Sequence, residues 1–172
     1  MPSPNFALSV LQHTPVWVWG LLALLIALGL RQRRTHDLSP ARATLPPLAM
    51  LLLALAGVLG TFGSAAALLA WAAVTVGVAA AWTGRAAPNA RWLPAEQRFR
   101  LLGSWLPLGL MMGIFITKFA VGVGIALHPA LARSTAFALG VSALYGMFSG
   151  IFAARALALQ RLRGRAMRVQ PA

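Results

Sequence analysis

The stretch Trp105–Leu127, WLPLGLMMGIFITKFAVGVGIAL, is apolar along its whole length except for a single charge, Lys118. Its length matches the ~17–25 apolar residues a helix needs to cross a bilayer. An ammonium group at membrane depth costs roughly 2.5–3.5 kcal/mol on insertion-derived scales, and such residues usually face a protein interior or a wet cavity. The stretch therefore reads as a membrane span that carries its own polar marker. It decides the fold because four further runs of the same character surround it.

Those runs are Val16–Leu30, Leu45–Phe62, Ala65–Trp82 and Ala130–Ala154. The first is short, but Phe6–Leu11 is also apolar, so one helix is expected over about residues 5–30, kinked at Pro15, which removes a backbone bond. The alternative is a short interfacial helix followed by Thr14 as N-cap and Pro15 at the first helical position. Gly63 suits a helix stop and Ser64 the cap of the helix that follows, making the second and third spans a tight hairpin. His128-Pro129 plays the same part between the fourth and fifth spans, which makes those two antiparallel neighbours. The expected fold is all-α: one five-helix transmembrane domain over residues 1–172, with spans at about 5–30, 45–62, 65–82, 105–127 and 130–154.

Composition agrees. The chain is 59% hydrophobic and 10% charged, against about one quarter charged for a soluble domain. Its two acids, Asp37 and Glu96, leave a formal charge of +13. The basic residues lie between apolar runs and not along one stripe, which favours a membrane and argues against nucleic acid. Four follow span one (Arg31, Arg33, Arg34, Arg42), four lie between spans three and four (Arg85, Arg91, Arg98, Arg100), and five follow span five (Arg155, Arg161, Arg163, Arg165, Arg168). Only Arg133 lies on the opposite side, with Lys118 between, out of 15 in all. That asymmetry predicts the N-terminus outside and the C-terminus in the cytoplasm, with cytoplasmic loops 31–44 and 83–104 and a tail 155–172. In the longer loop, Arg98-Phe99-Arg100-Leu101 alternates as a short extended piece does. Trp92 and Trp105 suit the headgroup level, and Trp17 and Trp19 the aromatic belt and core. The N-terminus, Met1-Pro2-Ser3-Pro4-Asn5, lacks the basic region of a secretory signal, so the first apolar segment is expected to stay attached.

Candidate sites follow from depth. Lys118 is thirteen residues past Trp105, ~20 Å from the cytoplasmic boundary, and Tyr145 is ten before Arg155, ~15 Å from the same side. A Tyr hydroxyl accepting from the ammonium, or the ring face beneath it, would lower the burial cost; Thr117, Ser142 and Ser149 are further partners. Two readings stand side by side. In one, Lys118 with Tyr145 and Thr117 attracts an anion, such as a carboxylate or a lipid headgroup. In the other, the four-carbon stem snorkels to the outer interface and the charge is satisfied by carbonyls and water.

His13 and His128 both fall near the outer boundary and could hold a metal or a haem iron if brought together, but each sits beside a proline at a helix end, where a polar residue is ordinary. His36 lies on the other side. No cysteine is present, which excludes disulfides and thiol chemistry. No phosphate loop, serine triad or paired carboxylates can be built, so enzymatic activity and a bound cofactor are not expected. Gly109/Gly113 and Gly146/Gly150 are small-xxx-small pairs that permit close helix approach, either between spans four and five or in a homo-oligomer. The basic tail Arg161–Arg168 offers anionic lipid about 1 kcal/mol per charge. Both carboxylates lie in loops, which argues against proton coupling by acids at depth.

Three pieces together, His13-Thr14-Pro15-Val16-Trp17-Val18-Trp19, Gly103-Ser104-Trp105-Leu106-Pro107-Leu108, and Ile114-Phe115-Ile116-Thr117-Lys118-Phe119 with Ile125-Ala126-Leu127-His128-Pro129, resemble a family of small bacterial inner-membrane proteins known as a domain of unknown function. That family usually has an aromatic after the lysine, often Tyr; in this chain it is Phe119. The resemblance spans nearly the whole chain. It implies a helical protein of the proteobacterial cytoplasmic membrane and brings no activity, ligand or catalytic residue. The reading favoured is a non-enzymatic membrane bundle that binds a partner, lipid or small anion; the alternative is a small oligomeric transporter or channel with Lys118 lining its path.

Overall fold

The structure, a computed structural model, describes residues 15–85 and 90–169. It is mostly helical: α1 Val16–Arg31, α2 Pro40–Thr61, α3 Ala65–Trp82, α4 Leu106–Leu127 and α5 Thr135–Val169, with a 3-10 turn over Pro129–Arg133. Three short strands, β1 His36–Leu38, β2 Ala90–Leu93 and β3 Arg98–Leu101, complete it. Four helices, α2 to α5, are long and apolar enough to cross a membrane. At 16 residues, α1 would be ~24 Å long, short of a ~30 Å hydrocarbon core.

The helix ends have local causes. Ser39 caps α2 by accepting from the amide of Arg42, with Pro40 at the first position, and Ser64 caps α3 by accepting from Ala67 at 3.2 Å. Gly63 between them has φ +59°, the left-handed conformation that glycine adopts without steric cost. Ser134 caps α5 through Phe137.

Several boundaries differ from the expected ones. Pro15 is not inside a helix: its ψ of 142° is extended, and α1 begins at Val16. The remainder of the expected first span, residues 5–14, lies outside the described residues. α2 starts at Pro40, five residues before the apolar run, because a serine cap followed by proline nucleates the turn through Ala41-Arg42. α5 starts at Thr135, since Pro129–Arg133 takes up the 3-10 turn, and it continues to Val169. Residues 155–169 of the expected tail are thus the last 15 residues of one 35-residue helix.

Packing also departs from chain order. α5 packs most extensively on α3, and next on α2, while α1 packs on α4. The fourth and fifth spans, expected as close neighbours, meet only narrowly. The cause is steric. A Cβ at Gly150 would lie 2.7 Å from Val78 Cβ, and one at Gly146 would lie 2.6 Å from the Trp71 carbonyl oxygen, so these glycines admit α3. The close-approach face of span five is occupied within the chain. A polar ladder runs through this contact: Trp71 Nε1 donates to Ser149 Oγ at 3.3 Å, and Thr75 Oγ1 donates to the carbonyl of Trp71 at 2.7 Å and reaches that of Gly146 at 3.3 Å.

The two basic loops fold together. The strands form an antiparallel sheet in the order β1-β3-β2, pairing Asp37 with Arg100 and Arg100 with Arg91. Alternation sends Phe99, Trp92 and Leu38 inward, onto Leu159, Leu162 and Ala166 of α5 and Ala43 of α2. Phe99 is fully buried, edge-on to Trp92 at 4.8 Å. Trp92 is therefore a core residue of the sheet and not a headgroup anchor. Trp105 is 60% exposed, with the Arg33 guanidinium 3.8 Å from its ring centroid.

Candidate functional site

Lys118 sits in the middle of α4, on the face it shares with Ile114 and Met111. That face looks across a seam. On one side of the seam is the α1–α4 pair; on the other is the α2–α3–α5 group. Gly113, five residues before Lys118, lets the Phe148 ring of α5 come against α4: a Cβ there would fall 2.9 Å from Phe148 Cε1. Beyond that contact a small crevice of about 10 Å³ opens among α2, α4 and α5. Met50, Leu53 and Ala54 line it from α2, Ile114 and Lys118 from α4, and Tyr145, Phe148, Ser149 and Phe152 from α5.

The ammonium group points inward. Lys118 Nζ lies 5.0 Å from the centroid of the Tyr145 ring, within the range of a cation–π contact. A Cβ added at Gly57 of α2 would meet Nζ at 3.0 Å and Tyr145 Cε2 at 3.6 Å. The lysine is half-buried against a bare stretch of helix and an aromatic face. Tyr145 itself is buried in the core cluster with Val58, Ala67, Ala138 and Val141.

What surrounds the charge is as informative. Asp37 is held by Arg100 in a two-pronged pair, Nε to Oδ1 at 2.9 Å and Nη2 to Oδ2 at 3.1 Å. Those hydrogen bonds, and the positive charge of Arg100 behind them, hold the Asp37 carboxyl below its ordinary range. Glu96 is exposed in the turn between β2 and β3. Both acids thus lie at the sheet end of the molecule, and among the described residues no carboxylate faces Lys118. Its only polar companions in the crevice are Tyr145 and Ser149. The arrangement can attract one small negative group, and among the described residues the only titratable side chain beside Lys118 in the crevice is the Tyr145 phenol.

Of the residues expected beside Lys118, the structure brings up Tyr145 and Ser149. Thr117 is on the same helix but bonds back to the Gly113 carbonyl at 2.7 Å and does not line the crevice. Ser142 is fully buried elsewhere, with no hydrogen-bond partner for its Oγ among the described residues. His128 caps α4 and is exposed, and His36 Nδ1 sits 2.8 Å from the Arg34 carbonyl. His13 lies outside the described residues, which contain no group of three metal-ligating side chains. Sequence reasoning missed Gly57 and Phe148. Gly57 stands among many small residues in a run of Ala and Leu, where nothing in the local pattern separates it from Gly60.

Residues 2–170 match the Family of unknown function (DUF6622), and the chain belongs to that family. No curated protein and no solved structure matches it.

Proposed function

We propose that this family member is a multi-pass protein of the bacterial inner membrane, without enzymatic activity, that binds a small anionic group at Lys118. The observation that carries this reading is an inward-facing ammonium in a crevice at mid-helix, with an aromatic face beside it and no carboxylate to neutralise it. A cation so placed is costly unless something offsets it, and the Tyr145 ring offers only about 0.5–2 kcal/mol. An anion in the crevice supplies the rest. α1 serves as a fifth span, which puts the two ends of the chain on opposite sides of the membrane. The arginine-rich sheet, the start of α2 and the end of α5 then face the cytoplasm.

The test is Lys118→Met in the purified, detergent-solubilised protein. Binding of the anion should fall at least tenfold while the thermal midpoint holds or rises, because a buried charge is replaced by an apolar chain of similar length. Unchanged binding would remove the site from this reading. A second reading, transport of the bound group, is favoured by the seam, which divides the helices into two packed units meeting at Lys118. Lysine-dependent uptake into proteoliposomes would distinguish it from binding alone.

A further inference from the structure

The way into the Lys118 crevice is as specific as its charge. Every lining residue lies in the middle portion of its helix: Met50–Ala54 within Pro40–Thr61, Ile114–Lys118 within Leu106–Leu127, and Tyr145–Phe152 within Thr135–Val169. Toward one end of the bundle the crevice is shut by Val58, Val121 and Tyr145, packed in one cluster with Phe62 and Phe137. Toward the other end, Pro107, Leu110 and Met111 are the buried residues of α4. Between these plugs the rim is Leu53, 49% exposed, with half-buried Met50 and Ile114. The opening is therefore on the flank of the bundle, between α2 and α4, where a membrane protein meets lipid tails and not water.

A small hydrophilic ion from solution would have to pass either plug or cross hydrocarbon to reach Lys118. A group that already resides in the bilayer would not. The crevice has room for about one water-sized group, enough to admit one oxygen of a carboxylate while the rest of the head and any chain attached to it stay outside, against the exposed Leu53 side chain at the rim on α2. From these observations we infer that the Lys118 crevice receives, sideways from the lipid phase, a single-chain amphiphile with a small monoanionic head: a long-chain carboxylate whose head meets Lys118 and whose chain lies along the seam between α2 and α4. This inference rests on the reading of Lys118 as an anion site and adds the ligand's class and its route.

Radiolabelled oleate and acetate test it, each titrated against the full chain in nanodiscs of uncharged phosphatidylcholine, with Lys118→Met and empty nanodiscs in parallel. The inference expects saturable oleate binding, reduced at least tenfold by Lys118→Met, at concentrations at least 100-fold below those at which acetate binds. Acetate binding through Lys118 within tenfold of oleate would overturn the lipid route and leave the anion site standing. Oleate binding that is the same in wild type and Lys118→Met is simple partition, and overturns the inference. No lysine-dependent binding of either probe would take down the anion site together with the inference.

Discussion

At the scale of single residues, Lys118 and Gly57 form one unit. Lysine is long enough to leave hydrocarbon by bending toward either interface, yet Nζ comes to rest over Tyr145 because Gly57 leaves space there. A methyl group at residue 57 would meet the flexible end of a side chain, so Gly57→Ala should be tolerated, with Lys118 shifted slightly. Gly57→Leu fills the crevice. It should abolish anion binding and cost about 1–3 kcal/mol by overpacking, read as a lowered thermal midpoint beside a binding titration. Retained binding in Gly57→Leu would mean that the anion sits elsewhere.

Asp37 has a pH dependence whose sign is fixed by Arg100. Because its folded pKa is depressed, chiefly by the hydrogen bonds from Arg100, the stabilisation is fully present above the ordinary carboxylate range. It is lost as pH falls through the lowered folded value. The pair is at the surface and screened, so the effect is small. Thermal midpoints measured from pH 6 down to pH 3 should fall further in wild type than in Asp37→Asn, where the ionisation is gone. Parallel curves would show that the pair does not hold β1 to β3.

At the scale of elements, the α3–α5 contact is the main joint of the bundle, and it depends on glycine. In hydrocarbon there is no water-exclusion force between helices, so packing and hydrogen bonds must hold them together. Gly146 and Gly150 let the backbones approach, and this approach brings Thr75 and Ser149 within reach of their partners on the facing helix. Gly150→Val would push its branched carbons into Val78 and the Thr75 carbonyl. We expect a loss of about 1–3 kcal/mol and a helix pair that separates more readily in detergent, measured by thermal aggregation of the purified protein. Gly109→Val is the control: nothing lies within 4 Å of a Cβ there, so its midpoint should match wild type.

At the scale of the whole molecule, the described chain is built from two units with different solvents. One is the apolar bundle; the other is a small water-facing cap in which the sheet closes over the last turns of α5. The cap gathers both acids and most of the arginines at one end, while His128 and Arg133 mark the other. Topology follows from that separation and is testable because the chain has no native cysteine. A cysteine at Ala130, which is exposed in the 3-10 turn, should react with a membrane-impermeant maleimide on intact cells. One at Glu96, exposed in the sheet's turn, should react only after permeabilisation. The opposite pattern would invert the orientation proposed from the arginines.

Hydrophobicity, charge placement and turn chemistry were sufficient to predict the helices, the Gly63-Ser64 hairpin and an extended piece at Arg98–Leu101, because each depends on neighbours within a few residues. The same logic singled out Lys118 and paired it with Tyr145, since a charge in an apolar run is conspicuous without any knowledge of packing. Which helices touch was not legible. Every span is apolar on all sides, so no amphipathic stripe says which face meets a neighbour, and chain order pointed to span four beside span five but gave no sign that α3 is its main partner. The strand β1, the cap it forms with the second loop, and the closure of the crevice by Gly57 and Phe148 are contacts between residues far apart in sequence. They exist only once steric fit between helices has chosen among arrangements that hydrophobicity alone leaves equal.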